Sequence, residues 1–163
     1  MAAFSVWALA GKWFHAKSGE AGLFVACLLV FLGASGCVLH RLVRGPRSFF
    51  RFYSIFVPAF VAYAVLWCVA WFTLGFGKGE WTASLAGSIA FVAMTALRFG
   101  NYRGLAVACV VFFCLHSAGY FLGSEFMRWM KGSGGQLGWG LIYGFGFGAG
   151  MGYVFYTFQR PGN

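Results

Sequence analysis

Aspartate is absent from this chain, and only three acidic side chains occur, Glu20, Glu80 and Glu125. All three fall at the ends of apolar runs. Proton-driven transport and hard-metal catalysis draw on buried carboxylates, and none stands at mid-membrane depth here. Charge of either sign is scarce: charged residues are 9% of the chain, against about 25% in a soluble domain. A water-facing surface cannot be built from that composition, so an ordinary globular domain, a disordered chain and a disulfide-stapled secreted module are all excluded.

Motifs are missing as well. The five cysteines, Cys27, Cys37, Cys68, Cys109 and Cys114, include no CxxC pair and lie inside apolar runs. They read as small apolar packing residues, so no metal site and no thiol chemistry is expected. There is no GxSxG, and Ser54, Ser84, Ser88 and Ser117 lack a histidine and an acid at matching depth. The glycine-rich stretches lack GxxxxGK[ST]. No catalytic residue is assigned, and the chain is not read as an enzyme. Residues 2–10 are apolar and Ala8-Leu9-Ala10 imitates a cleavage site, but no positive segment precedes them, so a signal peptide is not expected.

What is present is apolar length. Hydrophobic residues are 61% of the chain and mean hydropathy is +0.77. A spanning helix needs roughly 20 mostly apolar residues. Five stretches qualify, at about 21–43, 52–76, 81–97, 104–123 and 137–158. They are continuously apolar rather than alternating, which argues against a membrane barrel. The expected fold is an all-α integral membrane protein, one domain over 1–163 with five transmembrane helices. Residues 1–18 are too short and mixed to span and read as an interfacial segment. Trp7, Trp13, Trp71, Trp81 and Trp129 near segment ends fit an aromatic belt.

The formal net charge is +9. The basic residues sit between apolar runs, so they orient the chain and meet lipid rather than nucleic acid, which is not expected as a partner. One side collects Arg41, Arg44, Arg47, Arg51, Arg98, Arg103 and Arg160. The other collects Lys12, Lys17, Lys78, Arg128 and Lys131. This bias puts the first set in the cytoplasm, the N-terminus outside and the C-terminus inside a plasma or inner membrane. Arg41, Arg44, Arg47, Arg51, Arg98 and Arg103 are candidate contacts for lipid head groups or an acidic partner.

An internal repeat of about 58 residues is visible. Trp13, Trp71 and Trp129 are evenly spaced. Each precedes a polar step, Gly19-Glu20, Gly79-Glu80 or Gly135-Gln136, and Arg44-Gly45, Arg103-Gly104 and Arg160-Pro161-Gly162 close the segments that follow. This pattern predicts three parallel copies of a helix pair, the first having lost most of its leading helix.

Segment five carries Gly140, Gly144, Gly148 and Gly152 at every fourth position, with Gly146 and Gly150 in a second row. Small residues admit a neighbouring backbone in lipid, where no hydrophobic drive joins helices. This glycine zipper predicts a packing helix, set against helix three through Ala83, Ala86, Gly87, Ala90 and Ala93 or against another subunit. Pro58 predicts a bend in segment two.

Of three histidines, His15 and His40 lie near segment ends. His116 lies mid-way along segment four. It is the only candidate cofactor ligand; no cofactor is expected, and a hydrogen bond to a Ser or Tyr is the simpler reading. Two functions remain. One is a non-catalytic accessory or structural subunit of a membrane assembly, its 21 phenylalanines contacting lipid, pigment or partner helices. The other is a small homo-oligomeric channel or transporter for a small or apolar solute. The partners expected are the lipid bilayer and either further copies of the chain or other membrane subunits.

Overall fold

A computed structural model describes residues 2–75 and 77–159 of the chain. Phe76, at the expected end of the second span, and the Arg160-Pro161-Gly162 motif lie outside the described residues. Among those described the structure is helical, without strands. The helices are α1 (Ala2–Leu39), α2 (Ser48–Leu74), α3 (Lys78–Phe99), α4 (Leu105–Met130) and α5 (Gly132–Phe158), with a 3₁₀ turn at His40–Leu42. Gly22–Leu42, Ser48–Leu74, Lys78–Phe99 and Leu105–Met130 are long and apolar enough to cross a bilayer, and the chain is a membrane protein. The expected fifth span exists as a helix but is not among those four: its glycines add length without hydropathy. α2 runs unbroken through Pro58.

α1 is two helices. At Gly19 the backbone takes φ 66°, ψ −170°, a conformation glycine enters without steric cost. The second half folds back on the first: the Cys27 thiol donates to the Ala3 carbonyl at 3.4 Å, and Gly11 faces Leu23. The leading helix, residues 2–18, is therefore longer than the lost remnant the repeat implied. It is packed rather than isolated. Phe4 lies against Gly140, Trp7 meets Trp139 edge-on at 5.6 Å, and the Ser133 hydroxyl donates to the Ala8 carbonyl at 3.1 Å.

The same reversal recurs at Gly75 (φ 70°, ψ −166°) and at Lys131 (φ 54°, ψ 169°). These three joints sit about 56 residues apart, one per hairpin. The tryptophans of the 58-residue pattern are not equivalent about them. Trp71 stacks on Trp67 at 11°, whereas Trp13 and Trp129 are exposed.

The hairpins α2–α3 and α4–α5 face each other. Gly87 of α3 lies under the Tyr63 ring of α2. Between α4 and α5 the backbones themselves touch: a Cβ on Gly119 would meet the Ile142 carbonyl at 3.1 Å and Gly146 Cα at 3.2 Å. The Trp139 side chain fills the gap left by Gly123. Helix five thus packs chiefly along α4, where α3 or another subunit was expected. α3 instead turns Ala83 and Gly87 inward and leaves Ala93 exposed.

The core between the hairpins is aromatic. Phe52, Phe56, Phe91, Phe112 and Phe155 are fully buried. Phe91 and Phe112 stack at 4.7 Å and 6°, and Phe147 packs edge-on to both. Phenylalanine here builds the interior as well as the lipid face. The second half of α1 rides outside this core, held by Phe31 on Phe60 at 4.8 Å and by the Tyr53 hydroxyl donating to the Leu32 carbonyl at 2.9 Å.

Candidate functional site

Two polar regions interrupt the apolar bundle. The first is buried at mid-depth. His116 is 0% exposed, and its Nε2 lies 2.7 Å from the Tyr63 hydroxyl and 3.3 Å from that of Tyr143. The two hydroxyls are 2.9 Å apart. Three helices meet in this triad: Tyr63 from α2, His116 from α4 and Tyr143 from α5. Gly87 makes room for the Tyr63 ring, and Phe112 stacks beneath the imidazole at 5.9 Å and 17°. The triad is self-consistent in two directions. Either Tyr143 donates to Tyr63 and Tyr63 to Nε2, or Nε2–H donates to Tyr63 and Tyr63 to Tyr143.

Among the described residues His116 Nδ1 has no partner. Nor have the hydroxyls of Ser84, Ser88 and Ser117 or the indole nitrogens of Trp67 and Trp139, all buried. Buried polar atoms are nearly always paired, with water if not with protein. One end of the bundle, marked by Glu80, therefore has hydrogen-bonding capacity to spare. Glu80 closes it: the Tyr120 hydroxyl donates to its Oε1 at 3.0 Å, and the Gly77 amide donates to its Oε2 at 3.3 Å, capping α3. Below His116 the seam stops at the phenylalanine core.

The second region is at the opposite, basic end. The structure brings the segments bearing Arg41, Arg44, Arg47, Arg51, Arg98 and Arg103 to one end of the bundle, all six exposed. Only Arg44, Arg51 and Arg103 line a common cleft, of about 480 Å³, with Asn101, Gln159 and Phe99. Two side chains build it. Gln159 accepts from the Arg44 amide at 2.7 Å and donates to the Leu42 carbonyl at 2.7 Å. Asn101 donates to the Phe158 carbonyl at 3.1 Å and accepts from the Arg103 amide at 3.1 Å. The end of α5 is thereby tied to both basic loops. Sequence reasoning passed over Gln159. Its position one residue beyond an apolar run, beside Arg160, was the available signal.

Of the glycine row assigned to packing, Gly140 meets Phe4, whereas a Cβ on Gly148 or Gly152 would meet nothing within 4 Å among the described residues, and Gly144 is exposed. Within the chain it is the second row that packs, Gly146 on the Leu115 carbonyl and Gly150 on Phe112. His40 bonds the Gly36 carbonyl through Nδ1 at 2.8 Å, far from the His116 triad. No group of three His, Cys, Asp or Glu side chains converges among the described residues.

No protein-family model, no curated protein and no solved structure matches this chain.

Proposed function

We propose that this chain is a non-catalytic structural or accessory subunit of a membrane assembly, joined to its partners through the open glycine face of α5. The observation that carries this reading is the vacancy beside Gly148 and Gly152. Glycine weakens a helix by about 1 kcal/mol relative to alanine, and in lipid its compensation is close approach of another backbone. Gly146 and Gly150 obtain that contact from α4; Gly148 and Gly152 obtain none from the described residues. The phenylalanine core also argues against a path through a single copy.

In this reading α5 is a fifth span, the three hairpins are copies of one unit, and the basic end faces the cytoplasm. The evenly spaced joints at Gly19, Gly75 and Lys131 support the repeat. The second reading, a homo-oligomeric channel or transporter for a small or apolar solute, is favoured by the buried polar atoms without a partner among the described residues, His116 Nδ1 and the hydroxyls of Ser84, Ser88 and Ser117 included.

The test is native mass spectrometry after gentle extraction, on the natural chain and on the double variant Gly148→Leu, Gly152→Leu. A partner at fixed stoichiometry, lost in the variant, is the expected result. A homo-oligomer lost in the variant moves the assignment to the second reading. A natural chain that is monomeric, or an assembly the variant leaves intact, overturns the glycine-face proposal.

A further inference from the structure

A serine or threonine inside a helix often satisfies its hydroxyl by donating to the carbonyl one turn back, as Thr95 does to Phe91 at 2.7 Å. Ser84, Ser88 and Ser117 do not, and neither they nor His116 Nδ1 has a partner among the described residues. Ser84 and Ser88 are 0% exposed and Ser117 is 5% exposed. Buried polar groups are nearly always bonded, through water where not through protein.

Contacts between α3 and α4 fix where these groups stand. Phe91 of α3 stacks on Phe112 of α4, and Tyr120 of α4 bonds Glu80 of α3. Between those contacts α3 carries Ser84 and Ser88, one and two turns from Glu80, and α4 carries His116, one turn from each of Phe112 and Tyr120. Counted from the stacked phenylalanines at about 1.5 Å per residue, Ser88 stands about 4.5 Å along, His116 about 6 Å and Ser84 roughly 10 Å. The imidazole is therefore level with the two serines. Ser117 is one turn from both Phe113 and Phe121, which meet Trp81 of α3, so it lies on the same flank of α4.

The tyrosines decide which hydrogen the ring carries. His116 is enclosed by aromatic rings and two hydroxyls, where a charge would be unpaired and costly, so the imidazole is neutral. With Tyr143 donating to Tyr63 and Tyr63 to Nε2, both hydroxyl hydrogens and the Nε2 lone pair are used. Only an Nδ1–H is left over. In the opposite direction Nε2–H donates to Tyr63 and Tyr63 to Tyr143, which strands the Tyr143 hydrogen as well as the Nδ1 lone pair. Each bond left unmade in the interior costs stability, so the first direction is the favoured one. The bond at one ring nitrogen thus sets the hydrogen on the other, and that hydrogen points away from the tyrosines.

We propose that His116 is held as its Nδ1–H tautomer, and that this N–H binds internal water between α3 and α4 together with the hydroxyls of Ser84, Ser88 and Ser117. Water fits the donor set. The N–H demands an acceptor, the hydroxyls both give and take, and water does both. The four groups carry no charge, so they hold a neutral molecule rather than an ion. A buried water makes about three hydrogen bonds, which four groups can supply. The site lies inside one chain and stands whether or not chains assemble.

The test is solid-state NMR on the full chain, labelled with nitrogen-15 histidine and reconstituted in phosphatidylcholine bilayers. His15→Gln and His40→Gln leave His116 as the one labelled ring. Nitrogen shifts tell a protonated ring nitrogen from a bare one, and water contact is read as magnetisation transfer from water protons to the ring. The expected result is a protonated Nδ1, a bare Nε2 and transfer from water to the Nδ1 hydrogen. Ser84→Ala with Ser88→Ala should slow that transfer about threefold or more, through loss of one or two hydrogen bonds to the water. Thr95→Val is the control, a buried hydroxyl beyond the phenylalanine stack that is already bonded within α3, and should leave the transfer unchanged. If the alanine pair fails to fold, Ser88→Ala alone carries the comparison. A hydrogen on Nε2 overturns the tautomer, and a protonated Nδ1 without transfer from water overturns the water site. Transfer that the serine variants leave unchanged, or that Thr95→Val slows equally, overturns the part given to the serines.

Discussion

Tyr63 spends its single hydroxyl on two partners, His116 and Tyr143, at the point where α2, α4 and α5 meet. Interhelical hydrogen bonds in membranes average about 0.6 kcal/mol and reach about 1.7. Tyr63→Phe keeps the ring over Gly87 and removes both bonds, so a loss of about 1–2 kcal/mol is expected, read as a lower midpoint of unfolding in detergent. An unchanged midpoint would mean that the triad is incidental to the packing. His116→Ala is harsher: it opens a cavity under the Phe112 and Phe147 rings and strands two hydroxyls, with an expected cost of about 3 kcal/mol. Under the accessory-subunit reading assembly survives both substitutions wherever the fold does; loss of function from a folded His116→Ala protein would assign the imidazole a working role. The sequence singled out His116 because an ionisable group at that depth is conspicuous. It did not reveal Tyr63 or Tyr143, because each is one tyrosine among seven on a separate helix, and nothing local links them to the imidazole. Ser84, Ser88 and Ser117 were seen as serines without a triad, and only the fold shows that all three hydroxyls are buried without a partner among the described residues.

At the level of helices, the two glycine rows of α5 do different work, and substitution separates them. A methyl group on Gly146 runs into the Leu115 carbonyl and the Gly119 backbone. Backbone cannot rotate aside, so Gly146→Ala forces α4 and α5 apart at an expected cost of about 2–3 kcal/mol. A methyl group on Gly148 enters open space, and Gly148→Ala should be neutral or stabilising by up to about 1 kcal/mol in isolated chains. Thermal unfolding of the two alanine variants side by side checks this, and equal destabilisation would show that the rows are not distinct. Both rows can be read in the sequence, but a glycine repeat is silent on which neighbour approaches it. The same blindness hid the α4–α5 pairing. A lipid-facing position is as apolar as a core position, so the periodicity that orients a soluble helix is blurred here. The four long apolar runs were legible because length and hydropathy suffice for them. Three of their helices extend a few residues past an expected limit, α2 at its start, α3 at both ends and α4 at its end, where Ser48, Lys78 and Arg128 continue the helix beyond the apolar stretch.

Over the whole chain, charge and joints give the same picture of a bundle with unlike ends. Reversals at Gly19, Gly75 and Lys131 stand at one end, beside the capped Glu80. The basic loops and the Gln159 and Asn101 clamps stand at the other. In the proposed orientation, drawn from the excess of arginine on short loops, that second end faces the cytoplasm. If α5 spans, its first residues and Gln159 lie on opposite sides of the bilayer, and its 27 residues rise about 40 Å at 1.5 Å each, enough to cross the hydrocarbon core. The check uses a chain whose five cysteines are replaced by alanine, carrying single reporters at Lys131→Cys, Tyr102→Cys or Gln159→Cys. A membrane-impermeant maleimide should label the Lys131→Cys chain on intact cells, and the other two only after permeabilisation. Labelling of Lys131→Cys and Gln159→Cys from the same side would make α5 a helix that enters and is shielded by α4 and the N-terminal hairpin without crossing. Labelling of Tyr102→Cys on intact cells would invert the whole bundle, and with it the side from which the basic end is reached.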